Sequence, residues 1–253
     1  MTRLVGSELF KLRTTRTFYG LTLISLGLIL VIVILVSALT DFQPDEEVLT
    51  DMLGAGFFMQ AITLLLGVLI VTSEFRHGTI TPSLLVVPDR TKLTLVKLVA
   101  ALLIGLIIGL LTALVISGVT ALVLAIRGLD TGADFSTFIE LVVGGALAAA
   151  LYAGLGVGLG ALIRNQVGAI IGVLVWLFVL EGLVGLIPGL DDIVPKYGLN
   201  GVRAGLTGAE DGGGGPDSLE MLGQVPAGLV LAGYVAVFMV AGLILMRRRD
   251  ITA

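Results

Sequence analysis

Residues Thr17 to Leu39 have the sequence TFYGLTLISLGLILVIVILVSAL, a run of 23 residues without a charged side chain. At about 1.5 Å per residue, a helix of this length crosses the roughly 30 Å hydrocarbon core of a bilayer. The apolar part of a secretory signal is only about 7–15 residues long. The run therefore predicts a retained transmembrane helix.

The rest of the chain repeats this pattern. Of its 253 residues, 57% are hydrophobic and 13% are charged, whereas an average soluble domain is about 45–50% apolar and about 25% charged. Further runs long enough to span a bilayer lie at about 55–73, 98–126, 137–163, 167–187 and 226–246. We predict an all-α, polytopic integral membrane protein with six transmembrane helices.

Basic residues orient these spans. Twelve Lys and Arg side chains flank one end of the bundle, including both termini, and three flank the other. Basic loops remain in the cytoplasm, so both termini are predicted to be cytoplasmic. The abundance of Gly, Ala and Arg favours a bacterial cell membrane as the location.

Three segments outside the spans are distinctive. Residues 2–16 place Leu4, Val5, Leu9 and Leu12 on one stripe against charged neighbours including Glu8, which predicts an amphipathic helix on the inner leaflet. The inner loop covers 74–97. The outer loop covers 188–225; its apolar first part is expected to form short helices that re-enter the membrane, and Gly212 to Gly215 to form a flexible tip.

The sequence offers no enzyme site. It contains no Cys and a single His, His77, and it lacks both a phosphate-binding loop and a metal-ligand spacing. We therefore predict no catalytic residue, no metal site and no cofactor bound by this chain. A nucleic-acid partner has no support from the charge pattern.

The most distinctive motif begins at the inner end of the second span. It consists of Ser73-Glu74-Phe75-Arg76-His77-Gly78-Thr79, followed by a segment containing Pro82 and by Asp89-Arg90-Thr91-Lys92. Together with the amino-terminal helix, the six spans, the long last outer loop and the basic tail, this motif resembles the permeases of type-2 ATP-binding-cassette (ABC) exporters.

That resemblance implies a division of labour. The segment from Thr79 to Val87 would be the coupling helix that contacts a cytoplasmic ATPase, and the 2–16 helix would be the connecting helix beside it. Glu74, Arg76, Gly78, Thr79 and Pro82 would form the coupling site. ATP and Mg²⁺ would be bound by the ATPase, and two permease subunits, preferably a homodimer, would form the path within the membrane lipid. The alternative for the inner loop is an ordinary turn whose charges anchor helix ends.

Glu181 is the ionisable residue placed deepest within a predicted span. A carboxylate there costs about 2.5–3.5 kcal/mol on insertion scales, so it should face protein or water. Two interpretations remain open: a structural contact with the outer loop, for example with Lys196 or Arg203, and a role in the translocation path or its gating.

Glycines four residues apart form a second pattern, which permits close contact between membrane helices. The pairs are Gly105 and Gly109, Gly154 and Gly158, Gly156 and Gly160, and Gly168 and Gly172. They are compatible with static packing and with helices that slide during transport.

Two other functions compete with the exporter permease. An ion-coupled secondary carrier usually holds several ionisable groups near the midplane and repeated halves, which this sequence does not show. A membrane scaffold or sensor subunit without transport activity is the second alternative.

Overall fold

The computed structural model describes residues 1–40, 52, 56–129, 135–208 and 221–248, and within these residues it is helical. In chain order the helices are α1 (Thr2–Thr14), α2 (Arg16–Leu39), α3 (Phe57–Arg76), α4 (Ile80–Val86), α5 (Arg90–Arg127), α6 (Phe135–Ile163), α7 (Gln166–Gly185), α8 (Ile193–Tyr197), α9 (Leu199–Thr207) and α10 (Gln224–Arg248). Among the described residues, α2, α3, α5, α6, α7 and α10 are long and apolar enough to cross a membrane. The predicted all-α architecture with six candidate spans is confirmed.

The segment predicted as the inner loop 74–97 is largely helical. The second span continues as α3 to Arg76, and the third begins as α5 at Arg90, where the Asp89 carboxylate accepts hydrogen bonds from the backbone N–H groups of Thr91 and Lys92 at 2.9 and 3.3 Å. This cap satisfies backbone donors that a helix otherwise leaves open. The inner connection is therefore short, and α4 occupies most of it.

The segment predicted as the outer loop 188–225 forms short helices in its first part. Helices α8 and α9 lie within it, and α9 from Gly201 to Thr207 is buried. Gly212 to Gly215 lie outside the described residues.

Helix α6 lies at the centre of the bundle, packed against α3, α5 and α10. Close packing is possible because α6 presents glycine where its neighbours present backbone. A Cβ on Gly156 would collide with the Leu64 carbonyl oxygen and lie 2.8 Å from the Val68 nitrogen; one on Gly158 would lie 2.9 Å from the Met239 nitrogen. Small residues of this kind allow helices to associate in lipid through van der Waals contact.

The four glycine pairs are used differently. Three pairs face neighbouring helices at contact distance, whereas Gly168 contacts only its own cap residue Asn165, and Gly172 faces open space. Within this conformation the first three pairs serve internal packing.

Arginines hold the end of α10 at the end of the bundle that we predict to be cytoplasmic and call the inner end. Arg90 Nη1 donates to the Met246 carbonyl at 2.7 Å, and Arg164 Nη2 to that of Leu245 at 3.4 Å. Basic side chains satisfy carbonyl groups that the last helical turn leaves unpaired. These charges thus join helices as well as marking one side of the membrane.

Replacing Gly156 by Ala tests the central packing. We expect a loss of about 1–3 kcal/mol, because the added methyl group overpacks the contact between α6 and α3. Thermal unfolding of the purified protein measures it. Gly233→Ala in α10 is the matched control, since a Cβ there has no neighbour within 4 Å. Equal melting temperatures for the two variants would contradict the proposed packing.

Candidate functional site

Four charged side chains meet where α1 crosses the inner ends of α3 and α5. Lys97 Nζ lies 2.8 Å from Glu8 Oε2 and 2.7 Å from Glu74 Oε1. Lys11 Nζ lies 2.7 Å from Glu8 Oε1 and 3.1 Å from Glu74 Oε1. These four residues, which we call the inner ion cluster, connect three helices that are distant in sequence.

The cluster places charge in the protein interior. The Lys97 side chain is 3% exposed, and those of Glu8 and Glu74 are 6% and 9% exposed, whereas the Lys11 side chain is 51% exposed. A buried charge is costly unless it is paired. Two carboxylates and two ammonium groups balance one another here, so each residue depends on the others.

The two residues on α1 illustrate this balance. Burial alone would raise the pKa of Glu8, but the Lys97 and Lys11 ammonium groups outweigh it and hold that pKa below its usual value of 4.5. Burial would lower the pKa of Lys11, but the carboxylates of Glu8 and Glu74 hold it above 10.5. The stability from Glu8 is therefore lost only as pH falls below 4.5, and that from Lys11 only as pH rises above 10.5.

The residues predicted as the coupling site do not all lie together. Glu74 belongs to the inner ion cluster, whereas Arg76 is exposed and its Nη1 donates to Gln166 Oε1 at 3.4 Å. Glu74 and Arg76 therefore contact different partners. Backbone contacts hold the turn: the Thr79 N–H donates to the Glu74 carbonyl at 2.9 Å, and Gly78 adopts a positive φ of 65°, which favours glycine.

Helix α4 has a buried side at Ile80 and the adjacent Val87, here called its base, and an exposed side at Leu85 and Val86, here called its tip. Ile80 and Val87 pack with Leu93 of α5, with Leu4 of α1 against the same cluster. Pro82 is exposed in the first turn. The tip presents Leu85 and Val86, whose exposed fractions are 80% and 77%. An apolar tip fixed to the ends of two spans is a surface suited to a protein partner.

Sequence reasoning missed Glu8, Lys11 and Lys97. It assigned Glu8 to a polar face of α1, but Glu8 lies between Leu4 and Leu12 at four-residue spacing, on the side that packs against the bundle. The predicted inner loop 74–97 includes Lys97, although apolar Val96 and Leu98 flank it. An acid within an apolar stripe, and a lysine within an apolar run, are the signals that could have revealed the pair.

Glu181 lies near the other end of the bundle and is 4% exposed. Its Oε1 accepts the Asn200 backbone N–H at 2.6 Å, and Asn200 Nδ2 donates to the Leu177 carbonyl at 3.1 Å. Leu177 lies in a π-helical turn of α7 over Trp176–Leu180. Glu181 thus caps the amino-terminal end of α9 from a neighbouring helix.

Aromatic residues hold the same segment. Tyr152 Oη donates to the Leu199 carbonyl and Tyr234 Oη to the Tyr197 carbonyl, both at 2.6 Å. The Arg203 guanidinium carbon lies 5.5 Å from the Phe57 ring centroid, a cation–π contact. Helices α8 and α9 are therefore tied to α3, α6, α7 and α10.

Replacing Lys97 by Met tests the inner ion cluster. It leaves two buried carboxylates with the partly exposed Lys11, so we expect the free energy of unfolding to fall by about 3–5 kcal/mol. Lys92→Met, at an exposed position of the same helix, should change it little. Adding Glu8→Gln to Lys97→Met should restore part of the loss. A melting temperature of Lys97→Met equal to that of Lys92→Met would refute the role of the cluster.

Comparison with known proteins agrees with this architecture. A family profile described as "ABC-2 family transporter protein" matches residues 4–180, which is well over half of the chain. The matched region includes most of α1, all of α2 to α6, the inner ion cluster and most of α7. A search of curated proteins returned no significant match. The chain belongs to the ABC-2 family of transporter membrane proteins and is a multi-pass permease component of an ABC transporter.

Proposed function

We propose that this chain is the permease of a bacterial ABC exporter, driven by a separate cytoplasmic ATPase that binds at α4. The single observation that carries the proposal is the exposed apolar tip at Leu85 and Val86, on a helix whose base is packed between the ends of α3 and α5. Family membership supports the partnership with an ATP-binding subunit.

The inner ion cluster supports a mechanical role for this region. Lys97 joins α1 and α3 to α5 through contacts of 2.8 and 2.7 Å. The backbone bond from Thr79 to Glu74 connects the start of α4 to the same cluster. A displacement of α4 by a partner would therefore move α1 and two spans as one body, which is how rigid elements transmit a conformational change.

The remaining parts of the proposal follow from this arrangement. The ATPase would hold ATP and Mg²⁺, both termini would be cytoplasmic, and two copies of the chain would enclose the path in the cell membrane. Family membership also favours this function over an ion-coupled secondary carrier or a scaffold subunit.

The tip of α4 provides the test of the partner. We expect Leu85→Asp combined with Val86→Asp to reduce co-purification of an ABC ATPase from native membranes, and vanadate-sensitive ATP hydrolysis, by about tenfold or more. Buried apolar anchors dominate such interfaces. Lys92→Glu changes charge at an exposed position near α4 and should leave both readouts unchanged. Absence of any ATPase in the native preparation, or an undiminished amount with the tip variant, would refute the proposal.

For Glu181 we propose a gating role that is exerted through the position of α9. Glu181→Ala removes the acceptor for the Asn200 N–H and should slow ATP turnover of the assembled transporter several-fold while assembly persists, since a lost cap costs about 0.5–2 kcal/mol. Glu181→Gln retains an acceptor oxygen and should keep most of the turnover.

ATP turnover of the Gln and Ala variants distinguishes a capping role of Glu181 from a requirement for its charge. A Gln variant as slow as the Ala variant would show that the charge itself is required and would contradict the capping role. Unchanged ATP turnover in Glu181→Ala would show that the contact between Glu181 and α9 has no role in gating.

A further inference from the structure

A cavity of about 740 Å³ opens at the inner end of the bundle, between α1, α4 and the ends of α3 and α5. Pockets that hold one small ligand are typically about 300–1,000 Å³. It lies beside the inner ion cluster, at the ends of two helices that are long and apolar enough to cross a membrane. A molecule from the adjoining membrane leaflet would therefore be close to its opening, on whichever side of the membrane this end lies.

The lining has a polar mouth and an apolar interior. Ser7 and Lys11 of α1 line it together with Thr15 at the junction with α2, and Leu66 and Leu69 of α3 line it further along the span from Glu74. Leu66 lies two helical turns from Glu74, about 12 Å along the axis. This gradient matches an amphiphile with its headgroup at α1 and an alkyl chain along α3.

The accessible charge at the mouth is positive. Glu8 and Glu74 also line the cavity, but their side chains are only 6% and 9% exposed, whereas that of Lys11 is 51% exposed. A lysine ammonium has three N–H donors, and Lys11 directs two of them to the carboxylates. Its remaining donor can bind an anionic oxygen.

Two further cations lie at the same corner of the chain. Arg13 and Arg16 are both exposed at the junction of α1 and α2. Exposed basic side chains near a membrane surface attract anionic lipids by about 1 kcal/mol each. The electrostatic pattern thus favours a phospholipid headgroup with a net negative charge over a zwitterionic or uncharged one.

We propose that this cavity binds one anionic phospholipid, with its phosphate at Lys11 and one acyl chain along Leu66 and Leu69. The cavity shares Val86 with the apolar tip of α4, but the lipid contacts at Lys11, Leu66 and Leu69 lie outside the tip and need no ATPase. Its failure and the failure of the proposed permease function are therefore distinguishable.

The experiment is native mass spectrometry of the purified, delipidated full chain, titrated with phosphatidylglycerol, with phosphatidylcholine of the same chains, and with inorganic phosphate. We expect one phosphatidylglycerol per chain, bound about tenfold more tightly than phosphatidylcholine, and no comparable retention of phosphate. Leu69→Trp fills the interior of the cavity and should weaken phosphatidylglycerol binding about tenfold. Leu111→Trp, at a 56% exposed position on α5, is the matched control and should not.

Several results would overturn the proposal. Equal binding of the two phospholipids contradicts the anionic headgroup, and phosphate binding as tightly as phosphatidylglycerol contradicts the acyl-chain site. Undiminished binding by Leu69→Trp places the lipid elsewhere on the protein. If Leu69→Trp has a lower melting temperature than Leu111→Trp, the test is Thr17→Trp, which lies at the exposed mouth of the cavity. Undiminished phosphatidylglycerol binding by Thr17→Trp would then place the lipid elsewhere.

Discussion

The Lys97 ammonium group is the contact on which the inner half of the molecule depends. It is buried between Glu8 of α1 and Glu74 of α3, and a buried ammonium is tolerated only with such partners. Because each partner lies on a different helix, the pairing requires α1, α3 and α5 to keep one relative position.

The two ends of the bundle are held by different means. Charge pairs hold α1 at the inner end, whereas backbone capping by Glu181 and hydrogen bonds from Tyr152 and Tyr234 hold α8 and α9 at the other end. Between them, glycine and alanine allow α6 to contact its neighbours closely. The two ends of the bundle are thus fixed by polar contacts and its centre by close helix packing.

The six helical spans could be predicted from the sequence, because apolar runs of membrane length are a direct consequence of bilayer thickness, whereas the orientation from the basic residues stays a prediction. The proximity of Glu74 to the short helix that follows it was also predicted. Its partners were not, since Glu8 and Lys97 are 89 residues apart and one sequence gives no information on such pairing. For Glu181, a contact with the outer loop was one of the two interpretations, and Asn200 lies in that loop; the donor is a backbone N–H, which no side-chain pattern reveals.

The ion pairs of Lys97 with Glu8 and Glu74 require α1 to move together with the inner ends of α3 and α5. The chain has no Cys, so spin labels can be placed at introduced cysteines replacing exposed Phe10 on α1 and Val99 on α5. Their distance distribution, measured by pulsed electron resonance in the assembled transporter with and without trapped ATP, should be narrow and identical in the two states. A distance that shifts or splits when ATP is trapped would contradict the account.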